Sequence, residues 1–159
     1  MIMPIAHYLL ATVKVKCFNF DQIISWADQC IAYQDKPQYW LINLSLSKNM
    51  DEVMLALEDK LYSEQSVNGG FISIGNMQMS LLFYMHVSGL LPLTDVLEQA
   101  GLLSEGGFTD LEPDEIYKVL NLAETGELST LPEEWISEFC PKALEVITEI
   151  LAYKNDKSE

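Results

Sequence analysis

Asn19-Phe-Asp-Gln-Ile-Ile-Ser-Trp-Ala-Asp-Gln-Cys-Ile-Ala-Tyr33 is the stretch that decides the fold class. Phe20, Ile23, Ile24, Ala27, Cys30 and Ile31 recur at three- and four-residue steps, which gathers them on one face of an α-helix rather than on alternate faces of a strand. Asn19 stands where a helix N-cap belongs. The same period continues outward. Pro37 suits the first turn of a helix carrying Trp40, Leu41 and Leu44. Asn49-Met-Asp-Glu has the form of a capping box, opening a helix that buries Val53, Met54, Leu57 and Leu61. Asn68-Gly-Gly is a turn signal, and Phe71-Ile-Ser-Ile admits at most a minor strand pair near 71–74.

A second helical half begins near Asn76. Met77 to Val87 is apolar on nearly every side, which marks a central, buried helix. Pro92 opens the next, ending near Gly101, and Pro113 begins one that runs through Ala123 and stops at Thr125-Gly126. Thr130-Leu-Pro-Glu reads as another start, with Thr130 as N-cap. Pro141 is expected to end or kink that helix before a last one carrying Leu144, Ile147, Ile150 and Leu151. The expectation is an all-α single domain over 1–153, built from seven or eight short helices, with a frayed polar tail at 154–159. Hydrophobic residues make up 49% of the 159, enough for a sizeable core and against reading the acidic excess as disorder.

Every lysine-or-arginine cation on the chain is a lysine, and the net charge is −15. The charge is uneven. Residues 1–80 carry eight carboxylates and five lysines, whereas residues 81–159 carry sixteen and four. Between Asp95 and Glu138, twelve carboxylates face the single cation Lys118. Such a block attracts basic partners and repels nucleic acid and anionic membranes. An arginine-poor genome would account for the missing arginines but not for the clustering.

Cys17, Cys30 and Cys140 are odd in number, far apart and outside any CxxC pattern, so they form neither a disulfide framework nor a zinc set. With no export signal read at the apolar N-terminus, these features predict a cytoplasmic protein with free thiols. The longest apolar run, Leu81 to Leu93, is interrupted by His86, Ser88, Gly89 and Pro92.

No catalytic motif is present, and no cofactor or metal is expected. His7 and His86 lack an HExxH or Cys/His companion. In Thr109-Asp-Leu-Glu-Pro-Asp-Glu, Pro113 interrupts the run and the central glycine of a calcium loop is missing. Asp114 and Glu115 read instead as first-turn carboxylates favoured by the helix dipole. Asn68-Gly-Gly-Phe-Ile-Ser-Ile-Gly-Asn precedes a helix but lacks the ending of a phosphate-binding loop. Trp26 and Trp40 read as core anchors. Trp135, set among Glu133, Glu134 and Glu138, suits either the core or a binding hot spot.

Phe20-Asp-Gln-Ile-Ile-Ser-Trp-Ala-Asp-Gln-Cys-Ile, then Pro37-Gln-Tyr-Trp-Leu-Ile-Asn-Leu-Ser-Leu-Ser and the helix from Asp51 to Leu61, resembles the opening of small helical immunity proteins of bacterial toxin systems, over residues 18–61. The resemblance implies a protein that binds and neutralises a cognate toxin. Such proteins are often acidic because many of their targets are basic nucleases.

The expected function is accordingly a non-catalytic binding protein for a basic protein partner, a toxin domain, with no nucleic acid or membrane partner. Charge selects Asp110, Glu112, Asp114, Glu115, Glu133, Glu134, Trp135 and Glu138 as the partner-binding residues. Two other readings stay open. One is a helical adaptor that binds a peptide or itself through an apolar groove. The other is a small enzyme in which His7, His86 or a buried glutamate meets a reacting group.

Overall fold

A computed structural model describes residues 3–68 and 73–153. It contains eight α-helices and, among the described residues, no strand: α1 (Ile5–Lys14), α2 (Phe20–Tyr33), α3 (Tyr39–Ser45), α4 (Met50–Val67), α5 (Ile74–Val87), α6 (Leu93–Glu105), α7 (Pro113–Glu124) and α8 (Glu133–Tyr153). The all-α expectation holds. Phe71 and Ile72 of the expected strand pair lie outside the described residues, as does the tail 154–159; Ser73 and Ile74 belong to the start of α5. The chain divides into two compact units. The first joins Met1–Ile72 to Ile147–Glu159, and the second is the continuous segment Ser73–Val146.

The count of eight agrees with the expectation, although two differences offset each other. Helix α1 has no counterpart in the sequence reading. Its apolar residues Ile5, Leu9 and Val13 do recur at helical spacing, but eight of its ten residues are buried, the polar His7 and Thr12 among them. Helix α8, by contrast, was expected to be two helices. It runs unbroken past Pro141, which is exposed, and so is Ser137, whose carbonyl loses the amide donor that proline lacks. Water can meet that carbonyl. On the opposite face Trp135, Phe139, Ala143, Val146, Ile150 and Tyr153 form one buried stripe through both halves. The helix also starts later than Thr130 implied: the Pro132 carbonyl accepts from Trp135 and Ile136, making it the first acceptor.

In the first unit the caps follow the sequence closely. Asn19 Oδ1 accepts from the Gln22 amide at 2.8 Å, and Gln22 Oε1 accepts from the Asn19 amide at 2.8 Å, a complete capping box. Asn49 caps α4 through the Glu52 amide at 2.9 Å, but Glu52 returns its carboxylate to Lys48 N–H and Asn49 Nδ2 instead of the cap amide. Pro37 lies outside α3, whose N-cap is Gln38. In α4 the buried residues are Val53, Leu57 and Glu64, while Met54 and Leu61 are half-buried. Trp26, Trp40 and Tyr153 form a ring cluster with centroids 5.9–6.3 Å apart, and Trp26 Nε1–H donates to the Ile150 carbonyl at 2.9 Å. Both tryptophans are core anchors as expected.

The second unit closes by near backbone approach. Helix α5 is buried on several sides, matching its uniformly apolar sequence. Gly75 brings α5 against the backbone of Phe108, whose carbonyl occupies the space a Cβ would need. Gly101 does not end α6; it lies inside it, because the Tyr117 ring of α7 would stand 2.7 Å from a Cβ there. Phe83 stacks on Trp135 at 5.7 Å and meets Phe139 edge-on at 5.3 Å.

Candidate functional site

The carboxylates selected by charge fall at two helix starts. Asp110 and Glu112 precede α7, with Glu112 as its N-cap, and Asp114 and Glu115 occupy its first turn. Glu133 and Glu134 occupy the first turn of α8, and Glu138 follows one turn on. Negative charge is stabilised at both places by the positive end of the helix dipole, which explains why the sequence tolerates it there. All twelve carboxylates between Asp95 and Glu138 are exposed. Among the described residues the one ion-pair contact is His7 with Glu64, so no lysine neutralises this block.

The loop carrying Asp110 is held in place by the start of α5. Ser73 Oγ donates to the Phe108 carbonyl at 3.2 Å, and Asn76 Oδ1 accepts from the Asp110 amide at 2.8 Å. Leu111 is buried beside them. The glycine-containing segment before α5 therefore meets a loop of the same chain at its described end; residues 69–72 lie outside the described residues.

Trp135 corrects the sequence reading. Its side chain is 7% exposed and stacked on Phe83, so it belongs to the core of the second unit and offers no surface for docking. The indole points inward because position 135 opens the buried stripe of α8, whereas Glu133, Glu134, Ser137 and Glu138 line a shallow depression on the outside.

The charge reading missed a buried acid–imidazole pair in the first unit. Pro4 precedes α1 and provides no side-chain cap. Glu64, near the end of α4, supplies one from a distance. Its Oε2 accepts from the Ala6 amide at 2.8 Å, and its Oε1 accepts from the His7 amide at 3.1 Å and from His7 Nδ1 at 2.6 Å. Both side chains are essentially inaccessible, at 0% and 1%. A carboxylate thus occupies the anion site formed by the first free amides of a helix. Nδ1 is turned to the carboxylate, and Nε2 is buried with no hydrogen-bond partner. All of Glu64's contacts here are to α1, and neither residue lines the depressions described below, so the pair acts as a tie between α1 and α4. A signal existed: Glu64 continues the buried stripe Val53–Leu57, and an acid at a core position demands a partner.

His86 is half-buried and donates from Nδ1 to the Leu91 carbonyl at 2.8 Å, bracing the turn after α5. No disulfide joins the three cysteines. Burial pushes the Cys17 and Cys140 thiols up, which disfavours the reactive thiolate. Among the described residues no group of three or more His, Cys, Asp or Glu side chains is placed to hold a metal ion. No described helix is long and apolar enough to cross a membrane. No family model matches the chain, and no curated protein or solved structure matches it.

Proposed function

We propose that the chain is a non-catalytic binding protein of the cytoplasm that captures a basic protein partner, a cognate bacterial toxin that it neutralises. The observation that carries this reading is the set of twelve exposed carboxylates at 95–138 with no lysine within ion-pair distance among the described residues. Left uncompensated, these charges project a field that steers a cationic protein and raises association above the unsteered range of about 10⁵–10⁶ M⁻¹s⁻¹. Asp110, Glu112, Asp114, Glu115, Glu133, Glu134 and Glu138 act by steering; Trp135 has no part in it. Neutralisation is steric, through occupation of the partner's surface.

The test is stopped-flow association with the product of the adjacent reading frame at stepped ionic strength. The wild-type on-rate should fall as salt rises, since exposed charges are screened beyond about 8 Å at physiological ionic strength. The triple reversal Glu112→Lys, Glu133→Lys and Glu134→Lys should bind about tenfold more slowly or worse. Circular dichroism is the control, because each reversal in the first turn of α8 costs about 0.3–1 kcal/mol of helix stability. A salt-independent rate that the triple reversal leaves unchanged would sink the reading.

A further inference from the structure

A groove between α3 and α4, far in sequence from the acidic block, carries exposed apolar side chains. Tyr39, Asn43 and Leu46 follow one another at four- and three-residue steps along α3 and its C-cap. On α4, Glu52, Leu55, Asp59 and Ser63 keep the same helical spacing. Two depressions, of about 300 and 330 Å³, lie between these walls and adjoin at Asn43, Leu55 and Ala56, which line both. Tyr39, Leu46 and Leu55 are 76%, 69% and 66% exposed, although each belongs to an element whose other face is buried through Trp40, Leu41, Leu44, Val53 and Leu57. Large apolar groups concentrated in a concave site mark a place where something docks.

We infer that this groove receives an amphipathic, basic α-helix of a protein partner. The inference rests on the proposed function only in taking the partner to be basic. The wall from Glu52 to Ser63 is about 16 Å long at helical rise, the length of three turns. The α3 wall from Tyr39 to Leu46 faces the α4 wall from Ser63 to Glu52, and the apolar stripe of a third helix, its anchors three or four residues apart, fits between them. Charge decides which helix. Asp59 is exposed on the α4 wall, and Glu52, one of whose oxygens meets Lys48 N–H and the other Asn49 Nδ2, stands seven residues before it. Lys60, also on that wall, lies over the Trp40 ring, 5.9 Å from its centroid. Lysine or arginine flanking the partner's apolar stripe would meet the exposed Asp59 carboxylate and the remaining lone pairs of Glu52. A second copy of this chain suits the groove poorly, because each copy carries a net charge of −15 and would bring the same acidic rim.

The probe is a synthetic peptide of about 12–14 residues, three to four turns, with leucine at helical spacing and lysine elsewhere. Its counterpart carries glutamate in place of lysine. Nitrogen–proton correlation spectra of the full chain should show the lysine peptide shifting amides in 39–46 and 52–63. By fluorescence anisotropy, Leu46→Ser and Leu55→Ser should each weaken it about tenfold, as should the exchange of its lysines for glutamates. Both positions are exposed, so melting curves should be unchanged; Tyr39→Ser is a third variant, at the far end of the α3 wall from Leu46. Shifts confined to 110–138 would overturn the groove while leaving the acidic-surface reading standing. Absence of binding, equal binding of the glutamate peptide, or insensitivity to all three variants would overturn the groove as well. So would a dimer in sedimentation velocity that Leu55→Ser dissociates.

Discussion

The first unit buries His7, Glu64, Thr12, Gln34 and Ser47, whereas the polar residues buried in the second are Ser80 and Ser104. The two serines satisfy themselves locally, on the carbonyls of Asn76 and Gly101 within their own helices. His7 and Glu64 instead join residues 57 positions apart. The first unit thus fixes α1 against α4 with a directional polar tie, and the second fixes its helices by shape, through glycines that admit a neighbouring backbone or ring. Keeping its carboxylates on the outside leaves those of the second unit, Glu105 with its Tyr117 partner apart, open to act on a partner protein. Placing one inside the first commits that glutamate to the fold.

The contrast can be broken most severely at Glu64. Glu64→Ala should cost about 3–5 kcal/mol in urea unfolding, because two helix amides and an imidazole lose their acceptor inside the protein. In the second unit the equivalent break is apolar. Trp135→Ala should cost about 3–5 kcal/mol by emptying the space beside Phe83, and a loss under about 1 kcal/mol would return the indole to the surface role that charge suggested. The weakest effect belongs to the second unit's own acid pair, Glu105 with Tyr117, whose hydroxyl donates to Oε1 at 2.7 Å. That bond holds the phenol above its ordinary value, with some burial and the carboxylate's charge adding to it. A raised folded pKa means the contribution is intact below the unfolded value of about 10 and is lost as pH rises through the folded one. Carbon NMR titration of Tyr117 should show its pKa drop in Glu105→Gln, while the fold stays intact.

What could be read from the sequence depended on whether a residue's role was local. The Asn19 cap needs only Gln22, three residues on, and its chemistry was visible. The helix dipole likewise makes first-turn acids intelligible at Asp114 and Glu115. Helix α1 carries the helical period too, in Ile5, Leu9 and Val13, but in a short apolar N-terminal segment that reads first as a candidate export signal or membrane span. Pro141 reads as a breaker because the sequence does not say that its own face, and the carbonyl it strands, look outward. Gly101 reads as a stop because Tyr117 lies 16 positions later. The acidic candidates were found by composition alone, and Trp135, placed among them by adjacency, separates from them in space because neighbours on a helix point in different directions.

The first unit is discontinuous, closed by a helix end that follows the whole of the second. In the order of synthesis, the last residue of the second unit, Val146, is made before the segment that completes the first. The first, although synthesised earlier, must wait: until residues 150–153 arrive, the Trp26 indole N–H lacks the Ile150 carbonyl and the two tryptophans lack the Tyr153 ring. The order of synthesis and the order of completion are therefore reversed.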